Sequence, residues 1–127
     1  MAALVAGMMA HDTAAVPALC TALAGVLMRK GWMMATAESC TGGLIAGACT
    51  DLSGSSQWFE RGFVTYSNQA KTDLLGVDPG VLQQEGAVSE AVARAMVQGT
   101  LRHAPVQVAV AVTGVAGPTG GSAAKPV

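Results

Sequence analysis

Strand-length apolar runs alternate along this chain with segments of helical period, and the sharpest changeover falls at Thr36-Ala37-Glu38-Ser39-Cys40-Thr41-Gly42-Gly43. A short apolar stretch gives way there to a turn of small polar residues and then to an apolar helix. A strand that feeds directly into a helix builds layered α/β structure rather than an all-β sandwich or a helical bundle. The same turn carries hydroxyls, a thiol, a carboxylate and two glycines. Backbone N–H groups at the start of the following helix can then approach and polarise a bound group.

The remaining periodicities fit this scheme. Val16, Leu19, Cys20, Leu23, Val26 and Leu27 recur at helical spacing, and Arg29-Lys30-Gly31 supplies a basic last turn and a glycine stop. Trp32 to Ala37 is short enough for a buried strand, and Gly43 to Thr50 reads as the helix that follows. Phe59 to Tyr66 returns to a strand, Asn68 to Leu75 forms a helix ended by Gly76, and Pro79 opens a short helix over Asp78 to Gln84. Ser89 caps a long helix with Val92, Ala93, Met96, Val97 and Leu101 on one face. Val106 to Val112, apolar apart from Gln107, has the character of a strand buried on both faces.

The order α-β-α-β-α-α-β predicts an α/β fold: a three-layer α/β/α sandwich with a partly parallel sheet. Right-handed crossovers between strands at 32–37, 59–66 and 106–112 bring their C-terminal ends to one edge, where open α/β sheets bind ligands. Three segments converge there: Glu38 to Gly43, Tyr66 to Lys71, and Thr113 to Gly121.

Composition excludes several classes. The 127 residues are 51% hydrophobic and 12% charged, which describes one compact domain, here assigned to residues 13–127. Seven basic and eight acidic side chains give a net charge of −1, and the basic ones are scattered, so direct contact with nucleic acid is not expected. Three cysteines without CxxC spacing and two histidines argue for a reduced, cytoplasmic protein with no metal. Residues 1–12 are read as a frayed leader. They have no basic n-region, and His11 and Asp12 interrupt the apolar run before it can span a bilayer, so no membrane partner is expected.

Ser39 is the preferred nucleophile, because a serine after a strand and before a helix is held rigidly beside backbone donors; a plain helix N-cap is the competing reading. Cys40 is a rival nucleophile, or a buried inert thiol. Neither histidine is placed to serve them: His11 lies in the leader and His103 at the far end of a helix. That leaves Lys71, which can act as a base if desolvated or can lie on the surface as an ordinary ammonium. Tyr66 can relay a proton or simply pack, and Glu38 can set the lysine's charge state or cap the next helix. The tail from Thr113 to Ser122, with Gly114, Gly117, Gly120 and Gly121, reads as a backbone nest for an anion or as a flexible loop. It has neither P-loop nor dinucleotide spacing. Arg61 and Lys125 are possible phosphate partners, each with an ordinary surface role as the alternative.

The elbow at 36–43, Gly54-Ser55-Ser56, Arg61-Gly62-Phe63-Val64-Thr65-Tyr66-Ser67-Asn68, Lys71, Gly86-Ala87-Val88-Ser89, Thr113-Gly114-Val115-Ala116-Gly117-Pro118 with Gly120-Gly121, and Lys125-Pro126-Val127 occur in one order and spacing. In these motifs, from about Val16 onward, the chain resembles the competence/damage-inducible CinA C-terminal domain family. The resemblance implies a nicotinamide-nucleotide amidase, which hydrolyses nicotinamide mononucleotide to nicotinate mononucleotide and ammonia in pyridine nucleotide recycling, with no cofactor. It puts the family's serine, lysine and tyrosine on Ser39, Lys71 and Tyr66. Glu38, Cys40, Thr41, Gly42, Gly43, Arg61, Thr113, Gly114, Gly117, Gly120 and Gly121 are expected to line the nucleotide substrate. The resemblance also implies further sheet beyond Lys-Pro-Val, so the chain is expected to be incomplete at its C-terminus, with open sheet edges that favour a homo-oligomer. Two other readings stand beside the amidase: a non-catalytic nucleotide-binding or scaffold module, and a Cys40-dependent amidohydrolase.

Overall fold

The computed structural model describes residues 13–127, so the leader read over 1–12 and His11 lie outside the described residues. Strands β1 (Met34–Glu38), β2 (Phe59–Val64) and β3 (Val108–Val112) form a sheet of order β2-β1-β3 with both pairings parallel. The helices are α1 (Val16–Lys30), α2 (Leu44–Thr50), α3 (Asn68–Leu75), α4 (Pro79–Glu85) and α5 (Glu90–His103), with single 3-10 turns at Thr13–Ala15 and Ser55–Gln57. Among the described residues both strand pairings are parallel, in keeping with the at least partly parallel sheet expected from the sequence.

Alternation along the strands sorts the side chains into two cores. Met34 joins Ala24 and Leu27 of α1, Cys49 of α2 and Trp58 on one face. Ala37, Ala109 and Ala111 meet Leu75 of α3, Leu82 of α4, and Val92, Met96 and Val97 of α5 on the other. Helices therefore cover both faces, as the three-layer scheme requires, and all five residues of the central strand β1 are buried. In β3 only Ala109 and Ala111 are buried, because Val108, Val110 and Val112 are half covered on the α1/α2 face. This corrects the expectation of burial on both faces, and among the described residues β3 is an edge strand.

Local signals read from sequence reappear as caps. Gly31 ends α1 and Gly76 ends α3, both in the left-handed conformation, while Ser67, Asp78 and Ser89 accept N–H bonds at the starts of α3, α4 and α5. The apolar faces shift slightly. In α1 the core stripe is Cys20, Ala24 and Leu27, whereas Leu19 is 62% exposed and Val26 also faces solvent, since this helix is apolar nearly all round. In α5, Thr100 takes the buried position expected for Leu101, its hydroxyl donating to the Met96 carbonyl at 2.8 Å. Strand β2 stops at Val64, two residues short of the expected end, and Thr65 to Ser67 form a turn into α3. Among the described residues no helix is long and apolar enough to cross a membrane.

Helices α3 and α5 cross at Gly99, where a Cβ atom would meet the Leu75 carbonyl and lie 2.8 Å from the Leu75 Cβ. Gly99→Ala is accordingly expected to lower stability by about 1–3 kcal/mol through overpacking. Urea unfolding of the two proteins measures this, and an unchanged midpoint would show that the crossing tolerates a methyl group.

Candidate active site

Strand β1 ends on Glu38, whose side chain and that of Ser39 leave the strand on opposite faces. The Glu38 carboxylate is 1% exposed and turns toward α2. It accepts hydrogen bonds from the Ile45 N–H at 2.8 Å, the Ala46 N–H at 2.9 Å and the Thr41 hydroxyl at 2.7 Å. A negative charge thus satisfies orphan donors at the positive end of α2, which holds the helix against the strand that feeds it. Between them Cys40 adopts φ +78°, the sole positive φ of a non-glycine residue among those described, and Gly42 and Gly43 follow with φ +63° and +106°. The amides of Cys40, Thr41, Gly42 and Gly43 find no acceptor among the described residues, so a bound oxyanion can take them. The sequence pointed to the amides at the start of a helix over 41–50, and those of Thr41, Gly42 and Gly43 are among the free ones. The Leu44, Ile45 and Ala46 amides are instead taken by Thr41 and Glu38, which leaves the loop amides.

Ser39 and Lys71 meet on the other face. The Lys71 side chain, on α3, has no solvent exposure, and its Nζ donates to Ser39 Oγ at 3.0 Å. The same nitrogen lies 2.9 Å from the Thr65 carbonyl, 3.0 Å from that of Tyr66 and 3.4 Å from that of Ser67. These carbonyls are available because β2 ends early and the turn wraps around the lysine. No carboxylate is ion-paired with Lys71 among the described residues. Burial pushes its pKa below the ordinary 10.5. In the neutral amine two N–H groups suffice for the Thr65 and Tyr66 carbonyls, which leaves the lone pair for the Ser39 hydroxyl proton.

Tyr66 enters this cage through its backbone carbonyl. Its side chain is 65% exposed, and its phenol makes no hydrogen bond among the described residues. Glu38 and Thr41 bind each other and α2. Cys40 is half-buried, and Gly114 faces its sulfur, the Gly114 Cβ position lying 3.9 Å from Sγ. The Thr113 hydroxyl donates to the Ala87 carbonyl at 2.8 Å. Gly117 and Gly121 face the final residue: Cβ atoms there would lie 3.0 Å from the Val127 Cβ and 2.8 Å from its nitrogen. The spaces at these two glycines are filled by the chain itself, and Gly120 faces Val115. Arg61 is held away from the pair, bound to Glu60 and donating to the His103 carbonyl at 3.3 Å, where α5 runs out toward the start of β3. His103 is itself exposed, with Nδ1 2.8 Å from the Gly99 carbonyl. Of the other thiols, Cys49 lies buried beside Cys20 with its pKa pushed up to about 11, first by desolvation, so it is not a ready thiolate. A separate cleft of about 450 Å³, lined by Thr21, Met28, Gln57 and Trp58 among others, carries no titratable side chain.

The three carbonyls around Lys71 had no signature in side-chain chemistry. The one available signal was a strand-to-helix turn immediately before a lysine.

A serine hydroxyl held against a fully buried lysine, at the carboxyl edge of a parallel α/β sheet and beside a run of free amides, is the geometry of a serine–lysine pair. The chain belongs to the CinA C-terminal domain family, whose pattern matches residues 6–127. The nicotinamide-nucleotide amidohydrolase PncC of Enterobacter agglomerans is 60% identical over 105 residues, covering 83% of this chain and 64% of that protein. Its counterpart from Escherichia coli strain K12 is 54% identical over 101 residues, 80% of this chain and 61% of the relative. The chain thus spans less than two thirds of the length of either. Among solved structures, the competence/damage inducible protein CihA from Agrobacterium tumefaciens superposes with a TM-score of 0.85 at 48% identity, over 96% of this chain and 72% of that one. A CinA superfamily protein from Escherichia coli gives a TM-score of 0.85 at 37% identity, over 94% of this chain and 69% of that one.

Two outcomes follow from this geometry. Glu38→Gln replaces an acceptor of two amide bonds with a group that presents its own N–H, and stability is expected to fall by about 1–3 kcal/mol in urea unfolding. For Lys71 the folded pKa lies below the unfolded value of 10.5, so the unfolded chain binds the proton more tightly and stability rises with pH through the window beneath 10.5. The stability difference between wild type and Lys71→Met should change across that window and level off above it. A difference that is flat with pH would mean that the lysine keeps its ordinary proton affinity.

Proposed function

We propose that this chain carries an amidohydrolase site for nicotinamide nucleotides, cleaving nicotinamide mononucleotide to nicotinate mononucleotide and ammonia, with Ser39 as nucleophile and Lys71 as base. The observation that carries the reading is the 3.0 Å approach of Ser39 Oγ to a lysine nitrogen that is fully buried and has its pKa lowered by burial. The amidohydrolases that share more than half of its residues over most of its length supply the substrate.

In this mechanism neutral Lys71 takes the hydroxyl proton as Ser39 Oγ attacks the carboxamide carbon. The carbonyl oxygen becomes an oxyanion and is met by the free amides of the 40–43 loop. Collapse of the tetrahedral adduct breaks the C–N bond, and Lys71 returns its proton to the departing nitrogen, so that ammonia leaves an acyl ester on Ser39. Water then attacks the ester, giving a proton to Lys71, which passes it to Ser39 Oγ as the nicotinate carboxyl is released. Tyr66 serves through its carbonyl, which orients the amine, and Glu38 acts from behind the strand by fixing α2. Cys40 has no base beside it comparable to Lys71, which favours serine over the thiol.

Ammonia release from nicotinamide mononucleotide tests this. Ser39→Ala and Lys71→Ala are expected to lower kcat by about 10³-fold or more, and Cys40→Ala to stay near wild type. Because the reactive lysine is the neutral form, kcat/KM should rise with pH along a limb whose midpoint lies below 10.5. Full activity in Ser39→Ala, or loss in Cys40→Ala alone, would transfer the role to the thiol. No release by folded wild type would leave a binding module.

A further inference from the structure

All seven Lys and Arg residues lie within 13–127, and they can be sorted by their availability to an anionic substrate at the carboxyl edge of the sheet. Arg29, Lys30 and Arg102 close α1 and α5, at the helix ends that lead into the amino ends of β1 and β3. Arg61 is bound to Glu60 and the His103 carbonyl, Arg94 is ion-paired with Glu90 at 2.7 Å, and Lys71 is buried. Lys125 is left.

Three hydrogen bonds seat Lys125 at that edge. Its N–H donates to Ser122 Oγ at 3.0 Å, its carbonyl accepts from the Ser122 N–H at 2.8 Å, and its Nζ donates to the Glu85 carbonyl at 3.1 Å. The ammonium occupies the space that Gly86 leaves empty: a Cβ there would lie 2.8 Å from Nζ, and the φ of +76° at this residue also favours glycine. Contacts run from this point to the nucleophile. The carbonyl of Ala87 receives the Thr113 hydroxyl, Gly114 faces the Cys40 sulfur, and Cys40 follows Ser39. An ammonium has three N–H groups. One is spent on Glu85, and the other two have no acceptor among the described residues.

We propose that Lys125 is a specificity-determining residue that binds the phosphate monoester of the substrate while the carboxamide lies at Ser39. This deepens the nucleotide reading above and rests on it for the second ligand. A lysine that merely caps the last turn of α4 would matter for stability alone, and the two roles separate in binding.

The test uses the 127-residue chain, with ribose 5-phosphate and ribose as probes in titration calorimetry. Wild type is expected to bind the phosphate and not the plain sugar, with affinity falling as salt is raised. Lys125→Ala should lose about ten- to a hundredfold of that affinity, and Lys125→Arg should keep most of it. Should the alanine variant fail to fold, Lys125→Met, which keeps the stem, must show the same loss. In turnover, Lys125→Ala should raise KM for nicotinamide mononucleotide while leaving that for nicotinamide riboside unchanged. Ribose 5-phosphate binding that is no tighter than ribose binding in wild type, or that is equal in wild type and the neutral variants, overturns the proposal. Phosphate binding without ammonia release from wild type overturns the amidase reading instead and leaves the phosphate site standing.

Discussion

A lysine taken wholly out of water is the constraint around which this molecule is arranged. Burial in such a place, with no carboxylate ion-paired to it among the described residues, disfavours the ammonium relative to the neutral amine. The chain answers with backbone: β2 stops early, and the turn into α3 directs the Thr65, Tyr66 and Ser67 carbonyls at the nitrogen. Those dipoles hold the nitrogen in place by accepting its N–H groups, while desolvation lowers its proton affinity. The result is a buried nitrogen held 3.0 Å from the Ser39 hydroxyl oxygen.

The two faces of the central strand carry different contacts. On one face Glu38 ties β1 to α2 by accepting from consecutive amides; on the other, Ser39 faces Lys71. Alternation of side chains along a strand makes this division possible within two adjacent residues. With the Leu44 amide taken by the Thr41 carbonyl, the carboxylate's hold on the Ile45 and Ala46 amides leaves the free donors in the loop at Cys40 to Gly43.

Much of this was legible in the sequence. The order of elements, the caps at Gly31, Gly76 and Ser89, and the convergence of 38–43, 66–71 and 113–121 follow from periodicity and from the rules of parallel sheets. Side chains whose role depends on tertiary direction were less legible. The Tyr66 phenol lies in solvent while its carbonyl meets Lys71; Arg61 bonds Glu60 and the His103 carbonyl; Gly117 and Gly121 lie against Val127. In each case what the residue faces is decided by packing that no local pattern records. Leu19 and Leu101 illustrate the same point in the cores, since an apolar residue on a helix need not lie on the covered stripe.

The hydrogen atom at Gly99 has a wider reach than its size suggests. Leu75 lies one helical turn beyond Lys71 on α3, so the close crossing that Gly99 permits bears on the same helix that carries Lys71 to Ser39. A change in how closely the two helices lie would act on the helix that carries Lys71 without altering any group around its nitrogen.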